Sequence, residues 1–528
     1  MAAPEKTNTV LPIPSDQMST QEGDHQMTGG VDNLPPPKTV TADQGHTDVA
    51  LGVIVNETSV DLDPALRRRA LRKIDTWVLP LLALTTMLQF LDKSTLNYAA
   101  IFGIVEDTNL RGSEYSWLAS IFYFGYLVIQ PVAANLLQKI PPAKCLAVTV
   151  FIWGFILFMH VVCTNWSGLM AVRFFLGMAE GVVTPAFMLI STAWYARRDQ
   201  PLRMGIWFSF NGIAGIIGGI LAYGLGHIQS SIDSWKWMYL VTGALSIIWS
   251  IALWFLLPDH QGKAWFLDEH EKMAAVEMVR SNHTGVHNSK FQKSQMVEAF
   301  CDPKVYILTL MALVWNIPNS IATFGSLVIE NFSFTVLGTT LLGMPAGAVE
   351  FVLMIIITFV CLRVASLRIF CMITALTIAL VGSIMVFALP YDNKNALLGG
   401  YYLLYAFPTG YILLLGMASA NIAGHTKKVV ANSLIMIGYS VGNIIGPQFF
   451  LTRQRPRYRL GIGSCLVSFA VLIALCIMLR FYLMWENKKR TAIREAADQQ
   501  QQEDGQDHSQ YDFRNLTDKE NPLFVYVY

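Results

Sequence analysis

Twelve apolar stretches of about 20 residues recur along this 528-residue chain, and that length is what a helix needs to cross the hydrocarbon of a bilayer. They lie near 76–98, 115–138, 144–163, 168–194, 204–227 and 237–257, then near 304–328, 337–361, 367–389, 396–420, 429–451 and 460–485. Charged residues make up 14% of the chain and hydrophobic ones 53%, where a soluble protein has about 25% charged. The reading is an all-α membrane protein, with twelve transmembrane helices in two six-helix bundles at 71–258 and 303–487. A polar central loop at 259–302 joins them. Residues 1–70 and 488–528 are polar, with Pro35, Pro36 and Pro37 in the first and Gln500, Gln501 and Gln502 in the second. They read as a disordered N-terminal tail and a solvated C-terminal tail. The polar N-terminus also implies no cleavable signal sequence.

Basic residues set the expected orientation. Arg67, Arg68, Arg69, Arg72 and Lys73 precede the first span. Lys139 and Lys144, Arg197, Arg198 and Arg203, Arg363 and Arg368, Lys427 and Lys428, and Lys488, Lys489 and Arg490 then fall on the same side. Positive-inside logic places both termini and the central loop in the cytoplasm. Arg453, Arg455, Arg457 and Arg459 oppose the rule, and read either as headgroup contacts or as a surface that concentrates an anion. A short repeat, Ile216-Ile217-Gly218 against Ile444-Ile445-Gly446, lays the fifth span on the eleventh.

Several function classes lose support. Net charge is +1, so nothing argues for nucleic acid. The seven cysteines form no CxxC pair or Cys/His cluster and read as packing residues, with no metal or cofactor implied. No GxxxxGK[ST] loop is present, so ATP-driven transport is unsupported. No nucleophile–base constellation suggests an enzyme. Asn165 and Asn331 match the glycosylation sequon but sit in short loops; Asn56, Asn282 and Asn515 match it on the cytoplasmic side.

The candidate site is a set of ionisable residues inside spans, where a charge costs roughly 3 kcal/mol or more. Arg173 and Glu180 share a helix seven residues apart, two turns and about 10 Å along one face. They are either structural ion-pair partners or a fixed cation and a proton-carrying acid. Asp92 and Lys93 end the first span, as an interfacial anchor or as a pair in which Lys93 faces a cavity and Asp92 a partner such as Arg173. Glu350 is an isolated acid in the eighth span: a protonation site, a gate contact or a buried neutral acid. Asn316, Pro318 and Asn319 in the seventh span mark a kink or a substrate contact. Asn443 and Asn421 are weaker candidates, and His160 and His227 are expected at the membrane interface. Gly177 and Gly181 form GxxxG and suit close helix contact.

These motifs resemble those of the fungal anion:cation symporters of the major facilitator superfamily, the allantoate permease family, whose layout is also six plus six around a hydrophilic loop. The matching residues are Leu91-Asp92-Lys93-Ser94-Thr95-Leu96-Asn97-Tyr98-Ala99, then Arg173, Gly177, Glu180 and Gly181, Asn316, Pro318 and Asn319, and Gly343, Pro345 and Gly347. Asn421, Gly424, Thr426, Lys427 and Lys428 follow, then Gly438, Gly442, Asn443, Gly446, Pro447 and Gln448. The resemblance implies the major facilitator fold and uptake of a small organic carboxylate, such as allantoate, nicotinate or pantothenate, with protons. It casts Asp92, Lys93, Arg173 and Glu180 in coupling and substrate binding; with the residue reading above, Asp92, Glu180 and Glu350 become the proton-coupling candidates and Lys93, Arg173, Asn319 and Asn443 the substrate-binding ones. Three departures stand out. Lys93 replaces the arginine of many relatives and loses its bidentate fork. The usual glycine and aspartate of the 2–3 loop are replaced by the run Asn135 to Lys139. Ala214-Gly215 stands where drug antiporters carry Gly-Pro. The expectation is a monomeric plasma-membrane carrier; the alternatives are an exporter of a fungal secondary metabolite and a non-transporting nutrient sensor.

Overall fold

A computed structural model describes residues 64–196, 199–283, 292–364, 367–504, 516–521 and 524–528. Most of the expected N-terminal tail, Asn56, Arg197, Arg198 and Asn515 lie outside them. Twelve helical spans are present among the described residues. They are α1 (Pro64–Ile101), α2 (Glu114–Lys139), α3 (Pro142–Val161), α4 (Trp166–Trp194), α5 (Gln200–Gly226), α6 (Ser234–Leu256), α7 (Pro303–Glu330), α8 (Val336–Cys361), α9 (Arg368–Ala388), α10 (Lys394–Asn421), α11 (His425–Phe449) and α12 (Arg459–Thr491). α1–α6 pack into one bundle and α7–α12 into the other, as the sequence implies.

Four spans are interrupted where the sequence asks for it. α4 breaks at Gly181 and Val182, directly after Glu180. α7 breaks after Asn316, where Pro318 removes a donor and a 3-10 turn runs through Ser320. α8 breaks at Gly343 before Pro345, and α10 breaks at Tyr405 to Phe407 before Pro408. Non-helical backbone at membrane depth is tolerated where it lies inside protein or lines a cavity. Residues beside the breaks in α7 and α10 line the cavity described below.

The two bundles meet along two seams. α5 and α8 cross so closely that a Cβ on Gly212 would stand 2.4 Å from the carbonyl oxygen of Gly347, and one on Gly347 the same 2.4 Å from that of Gly212. Only glycine fits both positions. At the end remote from the start of α1, α1 and α2 close against α7 and α11. There Tyr115 donates to the carbonyls of Leu96 (3.1 Å) and Thr323 (3.0 Å), Ser120 to that of Ile444 (2.7 Å), and Gln448 to Ser120 (2.8 Å). Within the first bundle a Cβ on Gly177 would lie 1.8 Å from the Phe122 carbonyl, so the GxxxG stripe serves close packing of α4 on α2.

Two sequence expectations need correction. The 259–302 segment is not a plain polar loop: it carries helices Glu269–His283 and Lys293–Cys301. Nor are the described residues 516–521 and 524–528 of the C-terminal segment a solvated tail. The α12 helix continues through the expected boundary at 487 to Asp504, and the end of the chain returns to the second bundle. The amide of Asn421 pairs with Val527 backbone in both directions (2.9 and 2.7 Å), and Asn487 does the same with Tyr526 (2.8 and 2.9 Å). Polar composition does not reveal this return, in which Phe524, Tyr526 and Val527 anchor the segment while Val525 stays exposed.

Candidate functional site

Between the bundles lies a cavity of about 140 Å³. Its wall is mostly aromatic and aliphatic, with the amides of Gln89, Asn211, Asn316 and Asn319 and the hydroxyls of Thr86 and Thr184. Lys93 is the one cation among its lining residues, and Glu350 the one acid. A concave, largely apolar chamber with a few convergent polar groups is the usual form of a small-molecule site.

Lys93 points into this chamber while its ammonium lies 3.6 Å from a carboxylate oxygen of Glu180. Its side chain keeps 25% of its surface accessible; that of Glu180 keeps none. The separation exceeds a hydrogen bond, and neither Glu180 oxygen has a hydrogen-bond partner. Glu180 thus holds Lys93 by charge alone. The sequence places the two on different helices, and the fold brings them together because Lys93 occupies the cavity face of α1 and Glu180 ends the first segment of α4.

Asp92 and Arg173 are placed elsewhere. Asp92 is fully buried and accepts from Ser246 on α6 at 3.1 Å. Arg173 donates to the Tyr239 hydroxyl at 3.1 Å, and Tyr239 stacks on His160 with ring centroids 4.4 Å apart. Neither residue lines the cavity, and no ion pair joins Asp92 to Arg173 among the described residues. Both sit in the interior of the first bundle, so the expected Asp92–Arg173 pairing and the direct contact of Arg173 with the chamber are not found. Helical periodicity gives the angle of a side chain, not the neighbour that angle meets. His160, in the last turn of α3, is fully buried, and His227, directly after α5, is exposed.

In the second bundle three amides form a chain. Asn443 donates to Asn316 (3.0 Å), and Asn319 donates to Asn443 (2.7 Å) and toward the Tyr123 hydroxyl of the first bundle (3.4 Å). Asn316 and Asn319 line the chamber; Asn443 stands buried behind them. Asn421 is held by Val527 and belongs to the tail contact. Two of the four anomalous arginines are taken up locally, Arg455 by the Tyr458 hydroxyl (2.8 Å) and Arg457 over the Tyr391 ring (4.9 Å). Lys427, counted among the orienting charges, is buried among carboxylates. Asn165 caps α4 by accepting from Gly168 at 2.8 Å.

The sequence model of the Major Facilitator Superfamily matches residues 82–447. This chain belongs to the Major Facilitator Superfamily. Within it, the chain is 33% identical to the allantoate permease of Saccharomyces cerevisiae, over 94% of this chain and 92% of that one. It is 34% identical to the thiamine pathway transporter THI73 of the same yeast, over 88% and 87%. An uncharacterized transporter of Schizosaccharomyces pombe, C757.13, is 38% identical over 87% of each chain. A bacterial homolog of the human lysosomal transporter Spinster, solved inward-facing and occupied, shares the fold at a TM-score of 0.53 and 14% identity, over 77% of this chain and 96% of that one.

Sequence reasoning missed the aromatic wall that this superfamily member builds at mid-depth. Tyr439 lies between Tyr123 (6.0 Å between ring centroids), Tyr126 (5.8 Å) and Tyr411 (5.8 Å), and Trp315 stands 6.5 Å from Tyr411. All five line the chamber. The available signal was their depth: tyrosine favours the membrane interface, so tyrosines in the middle of spans from both bundles call for another role.

Proposed function

We propose that this chain is a proton-coupled symporter of a small organic anion, working by alternating access in the plasma membrane with both termini in the cytoplasm. The observation that carries this reading is the Lys93–Glu180 pair. A solute carboxylate entering the chamber meets one cation there, and that cation is already held by a carboxylate with no hydrogen bond of its own. At 3.6 Å and the effective dielectric that describes protein sites, such a contact is worth on the order of 4 kcal/mol, about a thousandfold in affinity. Protonating Glu180 removes the competitor and frees Lys93 for the solute. Losing the proton restores the internal pair and expels the anion. Binding of the two ions is then mutually dependent, as symport requires. The aromatic wall supplies contact area to the apolar part of a solute, and Asn316 and Asn319 supply directional bonding.

Arg173 and Asp92 take supporting roles in this scheme, acting from within the first bundle. The basic residues at the N-terminal end of α1 and in the loops on that side support the orientation. The allantoate permease among the relatives supports a carboxylate as the cargo. The test is uptake of labelled allantoate, nicotinate and pantothenate by cells with and without the gene, with Glu180→Gln beside the wild type. The variant should retain exchange but lose pH-driven accumulation. Concentrative uptake with an unaltered pH profile would refute the assignment of Glu180.

A further inference from the structure

The second bundle carries an acid that the Lys93–Glu180 scheme leaves unused. Glu350 lies mid-way along α8, and 2% of its surface is accessible. Its carboxylate forms no hydrogen bond or ion pair among the described residues, in contrast to Glu180 and Asp92. It lines the central chamber, and it also lines a second, smaller cavity of about 30 Å³. Ser94, Asn97 and Tyr98 of α1, Ser326 of α7 and Tyr401 and Tyr405 of α10 complete the polar part of that cavity. The smaller cavity lies toward the sealed end of the bundles, where Asn97 accepts from the Ser326 amide at 2.8 Å. A volume of this size and polarity admits about two water molecules.

We infer that Glu350 is a second protonation site, on the bundle opposite Glu180, wetted from the smaller cavity on one side and the central chamber on the other. An unpaired carboxylate at membrane depth is stable chiefly in its neutral form, and no cation is supplied to hold the charged one. The titratable groups facing it are Tyr98 from α1 and Tyr401 and Tyr405 from α10, the last two joined hydroxyl to hydroxyl at 3.1 Å. Lys93 shares the central chamber but is held by Glu180. α5 and α7 present only Gly215, Ala322, Ser326 and Ile329 to the small cavity. Proton uptake and release at Glu350 therefore pass through water and tyrosine hydroxyls, with no ion pair to break. The inference deepens the proton-coupled reading of the same chamber, and places one protonatable carboxylate on each moving half.

The test uses the full-length protein in neutral-lipid vesicles and needs no solute. Dicyclohexylcarbodiimide reacts with protonated carboxyl groups in apolar surroundings, and peptide mass spectrometry locates the adduct. Labelling of Glu350 is expected to be strongest at the most acidic pH tested and to fall at least about tenfold as the pH is raised and the carboxyl ionises. Glu180→Gln combined with Lys93→Ala, which removes the pair without freeing a cation beside Glu350, should leave this labelling in place, so failure of the Glu180 assignment does not touch it. Ser326→Val, which fills the smaller cavity, should slow the rise of the carboxyl infrared band after a downward pH jump several-fold, and Glu350→Gln should abolish that band. Absence of the adduct, labelling that ignores pH, or an unchanged band in Glu350→Gln would overturn the inference, as would an unslowed rise in Ser326→Val.

Discussion

Where the chain end meets the second bundle, Lys304 and Lys427 are buried with Asp302 and Asp518, and Glu298 closes the rim at 20% exposure. Lys427 lies 2.8 Å from each of the three carboxylates, and Lys304 is held by Asp518 and, at 3.3 Å, by Asp302. Two cations thus face three anions. Lys304→Met leaves one cation to three anions, two of them fully buried, whereas Asp518→Asn leaves two to two. Removing one partner of a buried pair costs about 3–5 kcal/mol because the other charge is stranded, and Lys304→Met should fall in that range. The cost of Asp518→Asn follows from its own titration. Burial pushes the Asp518 carboxyl up, but Lys304 and Lys427 outweigh this and hold it at about 2, against an ordinary 3.8. That difference is worth about 2 kcal/mol. The contribution is complete above the ordinary pKa and is lost as pH falls through about 2. Thermal unfolding of the purified protein in detergent at neutral pH should rank wild type above Asp518→Asn, and Asp518→Asn above Lys304→Met. Equal midpoints, or Asp518→Asn as the less stable variant, would refute the charge count.

Three further outcomes follow from the geometry. Lys93→Ala should lose uptake and also stability, since Glu180 is stranded, whereas Lys93→Ala with Glu180→Gln should recover the stability without the uptake; recovery of uptake would refute the cavity role of Lys93. Gly212→Val places a side chain against the Gly347 carbonyl and should cost at least about 1–3 kcal/mol through overpacking, read as a lowered unfolding midpoint and reduced transport. Arg173→Ala should lower stability by about 1–3 kcal/mol, the cost of leaving a buried group unsatisfied, and KM for the transported anion should stay near that of wild type, because Arg173 meets Tyr239 and not the chamber.

The linear chain by itself determined the spans, their grouping in sixes and the superfamily. Backbone satisfaction in lipid requires runs of a set length and polarity, and a run is visible along a sequence. It also marked Lys93, Glu180, Asn319 and Glu350 as out of place in hydrocarbon, since the cost of a polar group there is a property of residue and depth. What met what was decided only in three dimensions. Lys93 found Glu180 rather than Asp92 finding Arg173, the tyrosines of three helices closed one wall, and a polar C-terminus folded back onto two buried lysines. Each outcome depends on helix rotation and crossing. Those are set by close contacts such as Gly212 on Gly347, which act between residues far apart in the chain, so that the spacing of glycines marks a contact face without naming its partner.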